Sequence, residues 1–167
     1  MLNLLKFKTN SYLKRNKSLR SSLPYKQALN VGILFTVEDK FKHESVKSFI
    51  KKLEGDGKKI TVMTFLPADK QSYEFKFDFF TEKDISIWGS NTSQKAIEFS
   101  EIPFDYLFYL DTEPNPLILN LLARSKARCR VGKHFEDGEP FFEMMIGSSK
   151  DPEGLMEEML NYTSLLR

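Results

Sequence analysis

Apolar residues in this chain gather in short β-rich runs separated by stretches of helical period. Asn30-Val31-Gly32-Ile33-Leu34-Phe35-Thr36 reads as a strand buried on both faces, and Ile60-Thr61-Val62-Met63-Thr64-Phe65 as a second strand closed by Pro67. Phe104-Asp105-Tyr106-Leu107-Phe108-Tyr109-Leu110 is a strong strand ending in Asp111. Cys129–Val131 and Phe141–Ile146 give two more short strands, the second after an Asp137-Gly138 turn. Between Pro67 and Asn91 the pattern is weaker. Tyr73, Phe75, Phe77 and Phe79 alternate with Glu74, Lys76 and Asp78, Phe80 breaks the alternation, and Ile85-Ser86-Ile87-Trp88 is a further short strand candidate.

The intervening stretches predict helices. Residues 2–20 place Leu2, Leu5, Tyr12, Leu13 and Leu19 on one side and Lys6, Lys14, Arg15 and Lys17 on the other, until Ser21-Ser22-Leu23-Pro24 ends the pattern. Asp39 caps a second helix whose inner face is Phe41, Val46, Phe49, Ile50 and Leu53, stopped by Gly55 and Gly57. A small helix covers Ser93–Phe99. Asn115-Pro116 starts a helix with Leu117, Ile118, Leu121, Leu122 and Ser125 inward, and Asp151-Pro152 starts the last, with Leu155, Met156, Met159 and Leu160 inward. Strands alternating with helices predict an α/β fold. It is a Rossmann-like three-layer sandwich on a mostly parallel sheet of about five to six strands, preceded by a basic N-terminal helix. The expected division is a basic amphipathic arm over residues 1–24 and a single α/β domain over 25–167.

Charge sharpens that division. Lys6, Lys8, Lys14, Arg15, Lys17, Arg20 and Lys26 all precede the first acidic residue, Glu38, while the whole chain carries only +2, so the body is net acidic. Such an arm either packs its leucines on the body and solvates its lysines, or offers Lys6, Lys8, Lys14, Arg15, Lys17 and Arg20 to an acidic protein, RNA or the ribosome, or an anionic membrane. The 167 residues, 41% hydrophobic with 15 Phe, suffice for a core without staples. Cys129 is the single cysteine, which excludes an intramolecular disulfide and fits a reducing compartment. No apolar run has the length of a membrane span, and Lys6 and Lys8 interrupt any leader-like segment, so a cytoplasmic protein is expected.

Candidate chemistry is sparse. The loop after the first strand, Thr36–Phe41, holds no glycine, and no Walker A pattern occurs, which argues against nucleotide binding in the usual mode. A switch point between the first and fourth strands would bring Glu38 and Asp39 towards Asp111, Glu113 and Asn115. Ligands favour such a crevice, and clustered carboxylates suit Mg²⁺; helix capping and solvation are the plainer roles. No basic residue lies in the Asp111–Asn115 loop. Cys129 with His134 is a formal nucleophile pair, but a strand cysteine is expected in the core. His43 is expected to be solvated on a Lys-rich helix face, and two histidines with one cysteine make no zinc site. Tyr73, Phe75, Phe77 and Phe79 form either a nucleic-acid stacking surface or one buried strand face; Glu74, Asp78, Glu82 and Asp84 favour the latter. No cofactor is expected.

The stretch FDYLFYLDTEPNPLILNLLARSKARCRVG, Phe104–Gly132, resembles part of the N-terminal half of heptosyltransferase-type glycosyltransferases. Phe104, Asp105, Asp111, Leu121, Leu122, Ala123, Arg124, Ala127, Arg130, Val131 and Gly132 carry the likeness. It implies a Rossmann-like fold; that family's sugar-nucleotide site lies mostly in a second domain, so activity is not implied. Across its length, through NVGILF and FDYLFYLD…RSKARCRVG, the chain is similar to a family of small Bacteroidota proteins of unknown function. The leading expectation is a non-enzymatic binding or scaffold protein whose basic arm docks an acidic partner. The alternative is a sugar-nucleotide or nucleotide binder, or an enzyme, using the crevice at the C-terminal ends of strands 1 and 4.

Overall fold

The computed structural model describes residues 2–70, 77–147 and 149–167. Six strands, β1 (Asn30–Thr36), β2 (Lys59–Phe65), β3 (Asp78–Phe80), β4 (Tyr106–Tyr109), β5 (Cys129–Lys133) and β6 (Met144–Ile146), form one sheet in the order β3-β2-β1-β4-β5-β6. Every pairing is parallel. The helices are α1 (Leu2–Asn16), α2 (Lys40–Gly55), α3 (Gln94–Glu101), α4 (Pro116–Arg124) and α5 (Pro152–Ser164). The result is the Rossmann-like three-layer sandwich that the alternation of runs implies.

Strand periodicity divides the core. Val31, Ile33 and Phe35 point to the face covered by α2 and α5, where they meet Val46, Phe49, Leu53, Leu155 and Met159. Leu34, Met63 and Leu107 point to the other face, with Phe99 of α3 and Ile118, Leu121 and Leu122 of α4. At Gly32 the second face is too close for a side chain, since a Cβ there would lie 2.7 Å from the Phe104 ring. The helix starts are capped as their sequences indicate: Asp39, Asn115 and Asp151 each accept a hydrogen bond from a first-turn amide, and proline opens α4 and α5.

Several sequence expectations change. Ile85–Trp88 is not a strand. After a short 3-10 turn, Glu82–Asp84, only an isolated antiparallel bridge joins Ile85 to Asn91, and the chain reverses at Gly89, with φ of 79°. Ile85 is buried while Ile87 and Trp88 are exposed. The last strand begins at Met144 rather than Phe141, because a 3-10 turn over Glu139–Phe141 contains Pro140, which has no ladder donor. Phe41 points outward, and the inner stripe of α2 begins instead at Lys42. Tyr73 and Phe75 lie outside the described residues; Phe77 turns its ring against Phe35 and His43, but Phe79 is exposed and Phe80 takes the buried position of β3, so the expected buried face does not extend to Phe79.

The N-terminal helix forms an additional layer over α4. Leu5, Thr9, Tyr12 and Asn16, spaced by four, three and four residues, are buried, whereas Leu19 lies beyond the end of α1 and is exposed. Covered by sheet and α3 on one side and by α1 on the other, α4 is buried continuously from Ile118 to Ala123. That burial includes Asn120, whose amide donates to Thr9 Oγ1 at 3.0 Å and to the Gly89 carbonyl at 3.2 Å. Gly89 touches α1 so closely that a Cβ would sit 2.7 Å from the Leu5 Cα.

The same segment closes the C-terminus of α4. The last carbonyls of a helix have no intrahelical donor and must find one elsewhere. Asn16 Nδ2 donates to the Ala123 and Arg124 carbonyls at 3.1 and 3.0 Å. The Arg20 guanidinium donates to the carbonyls of Ser125, Ala127 and Ala123. A cation here also complements the negative end of the helix dipole. Replacing Asn16→Ala removes the donor to the Arg124 carbonyl and one of the two donors to the Ala123 carbonyl, and is expected to cost about 1–3 kcal/mol of unfolding free energy. Urea titration checks this, with the exposed Lys17→Ala as a control expected to change little.

Candidate functional site

The strand order reverses between β1 and β4, and both chains leave the sheet there. Three of the predicted residues, Glu38, Asp111 and Asn115, meet around Thr36 and Lys42. The Thr36 amide donates to Asp111 Oδ1 at 2.8 Å, and its hydroxyl donates to Oδ2 at 2.6 Å. Lys42 Nζ donates to Asp111 Oδ1 at 2.7 Å and lies 3.3 Å from Glu38. Asn115 donates to Thr36 Oγ1 at 3.2 Å while its own Oδ1 caps α4. Asp39 accepts the Lys42 amide at 2.8 Å as the cap of α2. Glu113 is exposed; its carbonyl accepts from the Tyr109 hydroxyl, which in turn accepts from the Asn115 amide. Burial and the nearby Asp111 hold the Tyr109 phenol well above its ordinary pKa.

Sequence reasoning missed Thr36 and, most consequentially, Lys42. The signal was present: extending the inner stripe Leu53, Phe49, Val46 back by four residues lands on Lys42, not on Phe41. A lysine on an apolar stripe needs a buried counter-charge, and the Asp111–Asn115 loop supplies it. Lys42 and Asp111 have side-chain exposures of 2% and 3%. A pair so desolvated holds together only with good geometry and further hydrogen bonds, which Thr36 provides on both carboxylate oxygens. From β5, Lys133 donates to the Thr112 carbonyl at 3.3 Å and ties down the same loop. Among the described residues no group of three or more His, Cys, Asp or Glu is placed to hold a metal ion.

The remaining candidates are dispersed. Cys129 is buried in the core, where burial raises its thiol pKa to about 11, against the reactivity a nucleophile needs. His134 is exposed. His43 is not solvated as expected but buried against Phe77, and burial first, then Lys47, lowers its pKa despite Glu44.

The N-terminal cations fall into three groups. Lys6, Lys14 and Lys17 are exposed. Lys8 and Arg15 fold over the buried Tyr12 ring at 5.4 and 4.9 Å, joined by Arg124 at 5.7 Å. Arg20 is held among the α4 carbonyls; burial first, then the neighbouring Arg130, brings its pKa down to about 10. Leu4 and Phe7 of α1 are exposed, as are Ile87 and Trp88. Gly89, the residue after Trp88, touches the backbone of Leu4 and Leu5, so the loop that carries Ile87 and Trp88 lies against the first turns of α1.

Residues 2–166 match the model of a family described as "Family of unknown function (DUF6913)", and the chain belongs to that family. No curated protein and no solved structure matches the chain.

The buried pair predicts a thermodynamic cycle. Lys42→Met or Asp111→Leu alone strands a buried charge and should cost about 3–5 kcal/mol, whereas the double variant should cost at least about 2 kcal/mol less than the sum. Additive losses in urea titrations would contradict the pairing. His43 predicts a pH dependence. Its pKa is lower folded than unfolded, so its contribution is complete above about pH 6.5, the unfolded value. As pH falls from there towards the folded pKa, only the unfolded chain takes up the proton and stability drops. His43→Phe should flatten this slope in urea midpoints measured across the window.

Proposed function

We propose that the protein is a non-catalytic binding or scaffold protein whose α1 face docks an acidic partner. The observation that carries this reading is a set of large exposed apolar side chains, Leu4 and Phe7 on α1 and Ile87 and Trp88 on the loop whose Gly89 touches the α1 backbone, with Lys8 and Arg15 on the same helix. Large exposed aromatics next to cations are the composition of binding anchors, and the apolar residues supply area while the cations steer an acidic surface. The switch-point crevice favours the alternative less. Its carboxylate and amide are occupied by Thr36 and Lys42, leaving Asp111 only 4% exposed to a ligand. On this reading the sheet is a glycosyltransferase-like half domain reused as a scaffold, in the cytoplasm of a bacterium.

Because Asn16 and Arg20 also close α4, surface substitutions rather than truncation test the docking. The full chain, its Phe7→Ser/Trp88→Ser variant and its Lys8→Glu/Arg15→Glu variant are used as baits in source-cell lysate, with flotation on anionic vesicles alongside. The reading predicts capture of an acidic protein that both variants lose and that high salt weakens. Equal or absent capture contradicts it, and flotation with no protein captured replaces it with membrane attachment.

A further inference from the structure

Two adjoining grooves run along the other flank of α1 and share Leu13 and Pro140. One, of about 560 Å³, is lined by Lys14, Lys17, Arg20 and Arg130, with Glu139 and Glu143. The other, of about 540 Å³, is mostly apolar, with Leu5, Leu119, Phe135 and Phe141, and with Lys6 and Asp137 also on its wall. Each lies in the size range of small-molecule sites.

The cationic lobe has an unmet demand. Arg130 is 3% exposed; its Nε and Nη2 donate to Glu143 at 2.9 and 2.8 Å, and Nη2 also to the Pro140 carbonyl at 3.0 Å. Its Nη1 is buried with no hydrogen-bond partner among the described residues. An unpaired donor on a buried guanidinium is costly, and it belongs to a residue that lines this groove. Glu143 pairs with Arg130 and also acts on Arg20, and Glu139 is on the same wall, but two carboxylates against Lys14, Lys17, Arg20 and Arg130 leave the lobe net positive. Arg20 and Arg130 share the wall of this groove, and two guanidiniums on one wall favour a multivalent oxyanion over a single carboxylate.

We propose that these two adjoining grooves together bind an amphiphile with a phosphate monoester head, the head on Lys14, Lys17, Arg20 and Arg130 and the hydrocarbon chain along Leu13 towards Leu119, Phe135 and Phe141. Charge complementarity fixes the head, and the shared residues Leu13 and Pro140 fix the direction of the chain. The site lies on the flank of α1 opposite Lys8 and Arg15, and its occupancy does not depend on the docking face.

Calorimetric titration of the full chain tests this with decyl phosphate, inorganic phosphate, decanol and decanoate. Decyl phosphate should bind saturably, at least about tenfold tighter than the other three. The Lys14→Glu/Lys17→Glu variant changes exposed side chains only and should weaken that binding by at least about tenfold at unchanged Tm. Equal binding of decanoate would overturn the phosphate assignment. Equal binding of decanol or of inorganic phosphate would overturn the two-lobed groove. No saturable binding, or binding untouched by the charge reversal, would overturn the site altogether. The docking variants Phe7→Ser/Trp88→Ser should bind decyl phosphate normally, which separates failure of this site from failure of the docking face.

Discussion

A lysine and an aspartate share one dry position at the top of the sheet, and much of the molecule is arranged to let them. Lys42 comes from the first turn of α2 and Asp111 from the end of β4, and Thr36 at the end of β1 donates to both carboxylate oxygens. Two ions removed from water recover the desolvation cost only when every remaining donor and acceptor is matched. The match here draws in the cap of α2 through Asp39, the cap of α4 through Asn115, and the Thr112 loop through Lys133. Both helices that start at the switch point are thereby held by one network. The same network fills the place where sheets of this order commonly admit a ligand.

The two proposed binding surfaces both lie around α1. Its inner stripe covers α4 and turns that helix into a fully buried element, while Asn16 and Arg20 finish it. The charge run at the start of the chain is thus put to several uses. Arg20 is structural, Lys8 and Arg15 stack on Tyr12, and Lys14 and Lys17 stand over a groove. A segment that reads as an arm by its charge is a packed layer by its contacts.

How far the sequence carried the reading depends on the range of the interaction concerned. The strands β1, β2, β4 and β5 and the caps at Asp39, Asn115 and Asp151 were legible because they rest on local runs and first-turn chemistry. Ile85–Trp88 misled because four residues of mixed polarity fit a strand as well as a turn, and Gly89 decides the matter only through its contact with α1. Phe41 misled because it is apolar and next to the stripe; Lys42 takes the inner position because Asp111, 69 residues away, is there to receive it. His43 is buried by Phe77 from another strand edge, which no local pattern announces. The approach of Glu38, Asp111 and Asn115 followed from topology, but that the group closes on itself required the lysine.

The most direct measurement is hydrogen exchange at the Thr36 amide, which donates to Asp111 Oδ1 at 2.8 Å. A closed structural joint predicts that this proton exchanges only on global unfolding, with a free energy equal to that of the core strands and falling with denaturant as theirs does. Exchange through a low-energy, denaturant-independent local opening would show a crevice that admits solvent, and would contradict the sealing of the switch point by Lys42 and Asp111.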